Sequence, residues 1–233
     1  KTAVFYPNNL SGLPVAYAMI LNGQAFDIRE NYSGFFRHIV LNDVFAFFKL
    51  ANDFSDFESF KKVYYKVDMP LPKEMLETIE NHAEETGDIF HSLYFLYKDN
   101  NYMLEHISRI RKALRKIRVS KPEKALDIVE KDLHYSSFLK RHAGSVQVFS
   151  MLKYFARGLK TTEELKMLLR TLKNGIDQYY SRSLDTQISL LTLHSSKGLE
   201  FDNVILIDLI EGLLPSEKAL EDLALNNRKT IEE

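Results

Sequence analysis

Strand-like segments stand only near the two ends of this chain, and roughly 145 residues of helical periodicity separate them. Any sheet must be assembled across that gap, because an unpaired buried strand leaves its backbone N–H and C=O groups without partners. Thr2 to Tyr6 is a short apolar and β-branched run ended by Pro7-Asn8-Asn9, a turn cluster whose proline lacks the ladder N–H. Leu10 to Leu21 has helical spacing, Asn22-Gly23 stops it, and Ala25 to Ile28 is again strand-like. A β-α-β opening of this kind builds parallel sheets. Ile188 to Leu193 and Asn203 to Asp208 return to strand character, and NVILID is a continuous apolar run suited to a strand covered on both faces.

Between these ends apolar residues recur every three or four positions. Val44, Phe47, Phe48 and Ala51 form one stripe, and Phe54, Phe57, Phe60, Val63 and Tyr64 the next. Aromatic stripes at that spacing are core packing rather than platforms for bases. The economical architecture is one discontinuous α/β domain of residues 1–34 and 183–233, with an all-helical domain of residues 35–182 inserted between its second and third strands. Surface loops tolerate such insertions.

Composition closes off several functions. The chain has no cysteine, which removes disulfides, thiolate metal sites and cysteine nucleophiles and makes a reducing, cytoplasmic setting the expected one. No apolar stretch approaches the ~20 residues that span a bilayer, so no membrane partner is expected. The net charge is -1, so attraction to a polyanion has to come from a local patch. Two regions are uneven: residues 73–88 hold six carboxylates, and residues 109–124 hold eight cations. On the second, Ile107, Ile110, Leu114 and Ile117 form the buried stripe, leaving the basic residues on the solvent side. That face reads either as plain solvated surface or as a phosphate-tracking surface. The histidines are scattered without metal-ligand spacing, and no metal site is expected. No acid is placed to orient His194 for a serine triad beside Ser195.

The most specific string is Thr192-Leu193-His194-Ser195-Ser196-Lys197-Gly198-Leu199-Glu200-Phe201, between two strands. In open parallel sheets ligands bind beyond the carboxyl ends of strands, and Gly198 allows backbone N–H groups to approach a phosphate or sugar. This string, followed by NVILI and EGLLPS, resembles the fifth motif of UvrD/Rep-type superfamily-one DNA helicases. AVFYPNN resembles the same family's fourth motif, and DVFAFFKLAN the stretch that enters its helical insertion.

The resemblance implies a RecA-like, P-loop NTPase-type second motor domain, split by a helical domain that swivels over duplex DNA. It implies that Tyr6 stacks on adenine and Glu200 touches the ribose, with Gly198 on the ATP side of the loop. It implies that Thr192, His194 and Ser195 contact single-stranded DNA, with a single/double-strand junction as the wider substrate. ATP and Mg²⁺ are the parent's cofactors, and a first motor domain of the same parent is the partner across the cleft. No catalytic residue is expected within this chain, and no tight cofactor binding, because the G-x-x-x-x-G-K-[ST] loop is absent. The chain is expected to begin near the fourth motif, to end just before the sixth, and to be inactive alone.

Three departures from the family pattern matter. Pro7 stands where the family has an arginine that reaches the γ-phosphate, and proline supplies neither charge nor donor. His38, Ile39, Val40, Leu41, Asn42 and Asp43 replace a charged segment and keep only its last aspartate. Met69-Pro70-Leu71-Pro72 replaces a Gly-Ile-Gly hairpin that grips duplex backbone. The alternative expectation is therefore a catalytically weakened relative that binds DNA or a protein.

Overall fold

The computed structural model describes residues 1–180, 186–210 and 217–224. The EGLLPS string, the tail from residue 225 and the boundary expected at residue 183 lie outside the described residues. The elements run β1 (Thr2–Tyr6), α1 (Asn9–Leu21), β2 (Asp27–Ile28), α2 (Ser33–Phe36), α3 (Ile39–Asn52) and α4 (Phe57–Val63). Two single-turn 3-10 segments, Tyr64–Lys66 and Lys73–Met75, lead to α5 (Leu76–Thr86), α6 (Ile89–Leu96), α7 (Asn101–Arg118) and α8 (Pro122–Lys131). Then come α9 (Ser136–Arg141), α10 (Ser145–Ala156), α11 (Thr162–Tyr180), β3 (Ile188–Thr192), β4 (Asn203–Leu206) and α12 (Glu217–Ala224). Two compact units result, Lys1–Gly34 with Leu169–Glu233, and Phe35–Leu168.

In the first unit all pairings are parallel and the strand order is β2-β3-β1-β4. The two apolar end segments do meet: Thr2 lies opposite Ile188 and Tyr6 opposite Thr192. Ala3, Val4, Leu190 and Leu191 are buried, so β3 and β1 form the covered centre of the sheet. The apolar run Asn203–Leu206 does not fit the expectation of a strand buried on both faces. Among the described residues it is the edge strand, and Val204 and Ile205 remain 54% and 51% exposed because no described element covers them. The residues of α11 from Leu169 onward group with the sheet. Gly175 leaves room for Ile20 of α1, since a Cβ there would stand 2.5 Å from Ile20 Cδ1. Tyr179 packs on the fully buried Phe26 with ring centroids 4.4 Å apart.

The second unit is all helical and is built around α3, nine of whose residues are buried. A helix apolar around most of its circumference has to be central. Val44, Phe47, Phe48 and Ala51 lie in the core, as do Phe57, Phe60, Val63 and Tyr64. Each large side chain so removed from water contributes about 1.5–3 kcal/mol. Asp43 is the charged exception on α3. Its Oδ1 accepts from Lys66 Nζ at 2.6 Å, its Oδ2 accepts from the Tyr135 hydroxyl at 2.6 Å, and Asp43 and Lys66 are both buried. Asp43 thus ties three stretches of the helical unit together.

Met69 and Leu71 turn into that core while Pro70 and Pro72 face outward. On α7 the stripe Ile107, Ile110, Leu114 and Ile117 is buried as its spacing predicts. Two of its cations are not on a free solvent face. Arg109 donates to the carbonyls of Asp132 and Val67, both at 2.9 Å, and Arg111 pairs with Asp88 at 2.5 Å against the rings of Phe54 and Phe90.

Candidate functional site

The carboxyl ends of β2, β3 and β1 are joined by one carboxylate. β2 and β3 pair Ile28 with Leu190, and continuing that register brings Glu30 opposite Thr192. Glu30 Oε1 accepts the Thr192 N–H at 2.7 Å, and Oε2 accepts the Tyr6 hydroxyl at 3.1 Å. The Tyr6 and Tyr32 hydroxyls lie 2.9 Å apart, and since Tyr6 gives its proton to the carboxylate, Tyr32 donates to Tyr6. All four residues are buried. Burial, then Tyr32, then Glu30, push the Tyr6 phenol far above its ordinary range, and burial raises Tyr32 although its bond to Tyr6 opposes the shift. Both phenols stay neutral donors.

Beyond Thr192 the chain folds into a compact turn. Thr192 Oγ1 and Ser195 Oγ lie 2.7 Å apart, Ser195 N donates to Thr192 Oγ1 at 3.2 Å, and Ser196 N donates to Thr192 O at 3.1 Å. Leu193 N donates to Tyr6 O at 3.0 Å, so this turn and the end of β1 are tied directly. Short hydroxyl-to-backbone bonds of this type fix a turn without a ligand. His194 is exposed at its crest and makes no hydrogen bond among the described residues. Gly198 has φ +81°, and the space where a Cβ would stand is empty for 4 Å, so its backbone is open to an approaching group.

Glu200 is also exposed, but on the limb that returns along the sheet. The next residue, Phe201, packs edge-on against Phe5 with centroids 5.8 Å apart, and Asp202 N donates to Lys1 O at the amino end of β1. The structure therefore gathers Tyr6, Thr192, His194 and Ser195 at one end of the sheet, while no hydrogen bond or ring contact joins Tyr6 to Gly198 or Glu200. Tyr6 itself is 0% exposed, so in this conformation neither face of its ring is available to a base. Gly12 of α1 closes over it: a Cβ there would stand 2.6 Å from Tyr6 Cζ.

Sequence reasoning missed Glu30 and Tyr32. Their signal is weak, since an acid two residues beyond a two-residue strand looks like loop. It also missed that Asn8 caps α1, its Oδ1 accepting from Leu10 N at 3.0 Å and Ser11 N at 3.2 Å, so Pro7 serves as the residue leading into a cap. No helix among the described residues is long and apolar enough to cross a membrane.

A small parallel sheet with a glycine-containing polar turn at its strand ends, carried with a helical unit, defines an α/β protein of mostly helical content. Over residues 21–233 the chain matches the UvrD-like helicase C-terminal domain, and it belongs to that family. It is 25% identical to the ATP-dependent DNA helicase Rep of Buchnera aphidicola (subsp. Acyrthosiphon pisum), over 94% of this chain and 37% of that protein. It is 21% identical to the putative ATP-dependent DNA helicase YjcD of Bacillus subtilis, over 99% of this chain and 31% of that protein. DNA helicase II of Rickettsia typhi is 20% identical over 85% of this chain and 32% of its own length. The chain thus spans about a third of the length of these relatives.

Proposed function

We propose that this chain is the second, RecA-like motor unit and helical insertion of an ATP-dependent DNA helicase, forming one wall of the ATP cleft and part of the single-stranded DNA track. The observation that carries this is the Thr192–Ser195 turn, anchored at the strand ends by Glu30 and exposing His194, in a chain of the UvrD-like family. Thr192, His194 and Ser195 would meet the strand. Gly198 and Glu200 would meet the nucleotide, where an exposed carboxylate suits a ribose hydroxyl. The described residues fit only the base and sugar side of ATP with Mg²⁺. They include no phosphate-cradling glycine loop, and Tyr6 fits as a stacking platform only if its ring is released.

Half a cleft cannot assemble the charge stabilisation that phosphoryl transfer requires, so the chain alone hydrolyses no ATP. The test is ATP hydrolysis by a protein joining this chain to its first motor unit, with and without single-stranded DNA. Stimulation by DNA, lost on His194→Ala, is the expected result. Absence of any hydrolysis by the joined protein would sink the motor reading.

The buried Tyr6 and the proline at position 7 favour a second reading, a weakened relative that keeps DNA or protein binding without turnover. Salt-sensitive DNA binding with no hydrolysis, not rescued by Pro7→Arg, is its signature.

A further inference from the structure

Glu30 is a buried carboxylate that no cation balances. Arg29 beside it leans to Asp27 instead, and no Lys, Arg or His among the described residues pairs with Glu30. Its charge rests on neutral donors from two different strands. Thr192 N–H at the end of β3 donates to Oε1, and the Tyr6 hydroxyl at the end of β1 donates to Oε2. An ionised carboxylate can accept at both oxygens, whereas an amide offers one acceptor and one donor group. A buried charge is tolerated only while such bonds are made, and losing one costs more than it does for a neutral group.

The two donors stand at opposite ends of a short relay. Tyr6 lies under Gly12 of α1 and accepts from the Tyr32 hydroxyl, 2.9 Å away. Thr192 opens the turn in which its Oγ1 meets Ser195 Oγ at 2.7 Å and which exposes His194. Leu193 N also reaches Tyr6 O at 3.0 Å, but that bond joins backbone to backbone and does not follow the ring. Among the described residues, Glu30 is the side chain hydrogen-bonded both to the Tyr6 hydroxyl and to the turn.

We propose that Glu30 is a positioning residue that couples the Tyr6 ring to the Thr192–Ser195 turn, so that a base stacked on Tyr6 and a single strand bound at the turn oppose one another. The inference rests on the reading that Tyr6 meets adenine and the turn meets DNA. To stack, the buried ring has to leave its seat, and its hydroxyl leaves Oε2 with it. Glu30 is then a buried charge held by the Thr192 amide, and carboxylate and amide rearrange together to recover a second donor. The turn that starts at Thr192 loosens, and its hold on the strand falls. Conversely, a strand that fixes the turn keeps Glu30 and Tyr6 in place, and by linkage it weakens nucleotide binding by the same factor. Such linkage needs an element with two arrangements that both ligands bias, and here it is the Tyr6 ring, seated or released.

The test is fluorescence anisotropy of a labelled mixed-sequence single strand with the protein joined to its first motor unit, with and without adenylyl imidodiphosphate. Wild type should bind the strand at least about fivefold more weakly when the analogue is present. Glu30→Gln keeps the shape and one acceptor but cannot accept from both donors, and should reduce that change to below about twofold. Tyr6→Phe keeps the ring and deletes the hydroxyl, so it should do the same, and the double variant should lose no more than either single one. Additive losses, which two separate structural defects give, overturn the proposal. So does full coupling in Glu30→Gln, or a wild-type strand affinity that the analogue leaves unchanged or raises. Circular dichroism checks the fold, and Tyr6→Phe decides the matter by itself if Glu30→Gln unfolds. A joined wild-type protein that binds neither analogue nor strand removes the motor reading and this inference with it. Binding of both without coupling through Glu30 removes only this inference.

Discussion

Glu30 Oε1 accepts the backbone N–H of Thr192 at 2.7 Å across 162 positions of sequence, and this one bond sets the start of the turn that carries His194 and Ser195. Hydrogen bonds to a charged acceptor contribute about 1.5–3 kcal/mol each, and a buried donor left alone costs about 1–3 kcal/mol. Glu30→Ala strands both Thr192 N–H and the Tyr6 hydroxyl, so a loss of about 2–4 kcal/mol in urea unfolding is expected. Hydrogen exchange should accelerate at residues 193–198 more than in β1. Unchanged exchange there would mean that the turn holds its shape without Glu30.

Gly12 is required by close approach. A methyl group at this position meets the Tyr32 hydroxyl and stands 2.6 Å from Tyr6 Cζ, and neither ring can swing away while both are bonded to one another. Gly12→Ala should therefore destabilise by about 1–3 kcal/mol despite the better helix propensity of alanine. Adding Tyr32→Phe removes one of the two clashing atoms and should restore part of the loss in thermal melts. Equal stability of Gly12→Ala and wild type would contradict the packing described.

The parallel arrangement of β1 with β3 was legible because both are short apolar runs that need partners, and the α7 stripe because Ile107, Ile110, Leu114 and Ile117 keep helical spacing. Position within the sheet was not legible. NVILID has the composition of a central strand, and only the order β2-β3-β1-β4 shows that it lies at the edge of the sheet formed by the described residues. Periodicity assigns a side chain to a helix face but not to a partner, so Arg109 and Arg111 looked like their exposed neighbours until their acceptors at Val67, Asp132 and Asp88 were known. The link from Glu30 to Thr192 was hidden for the same reason, since its partner arrives only after the helical unit.

Asp43 and Lys66 form a buried pair whose value depends on both members. Removing Asp43 leaves an ammonium with 3% exposure facing apolar rings, so Asp43→Ala should cost about 3–5 kcal/mol. Replacing the whole set with Asp43→Leu, Lys66→Met and Tyr135→Phe removes every unsatisfied group at once and should cost less than the single change. Guanidinium unfolding of the single and triple variants decides this. A triple variant weaker than Asp43→Ala would show that the polar network is itself the source of stability.

His38 caps α3, its Nδ1 accepting from Val40 N at 3.3 Å, which only the neutral ring can do. Burial lowers its pKa from the ordinary 6.5, and Asp43 nearby opposes the shift. The unfolded state therefore binds the proton first, so the cap's contribution is complete above about pH 6.5 and is lost as pH falls through the folded value. His38→Asn keeps an acceptor at the cap and does not titrate. Melts of the two proteins should converge between about pH 7.5 and pH 5.5, with wild type losing more. Parallel curves would place the titration elsewhere.

Whether Tyr6 takes the stacking role that the family resemblance implies depends on freeing a ring that is 0% exposed. If a base stacks on it, the competent conformation is the minor one, and apparent affinity is reduced by its fraction. Tyr32→Phe deletes one of the two hydrogen bonds that hold the Tyr6 hydroxyl, about 1 kcal/mol, and so should raise the competent population about fivefold. In the protein joined to its first motor unit, KM for ATP should then fall by about 2–5-fold with kcat little changed, and Tyr6→Ala should abolish the gain. An unchanged KM in Tyr32→Phe means that Tyr6 serves the core alone, and that the adenine is held by residues other than those at the end of β1.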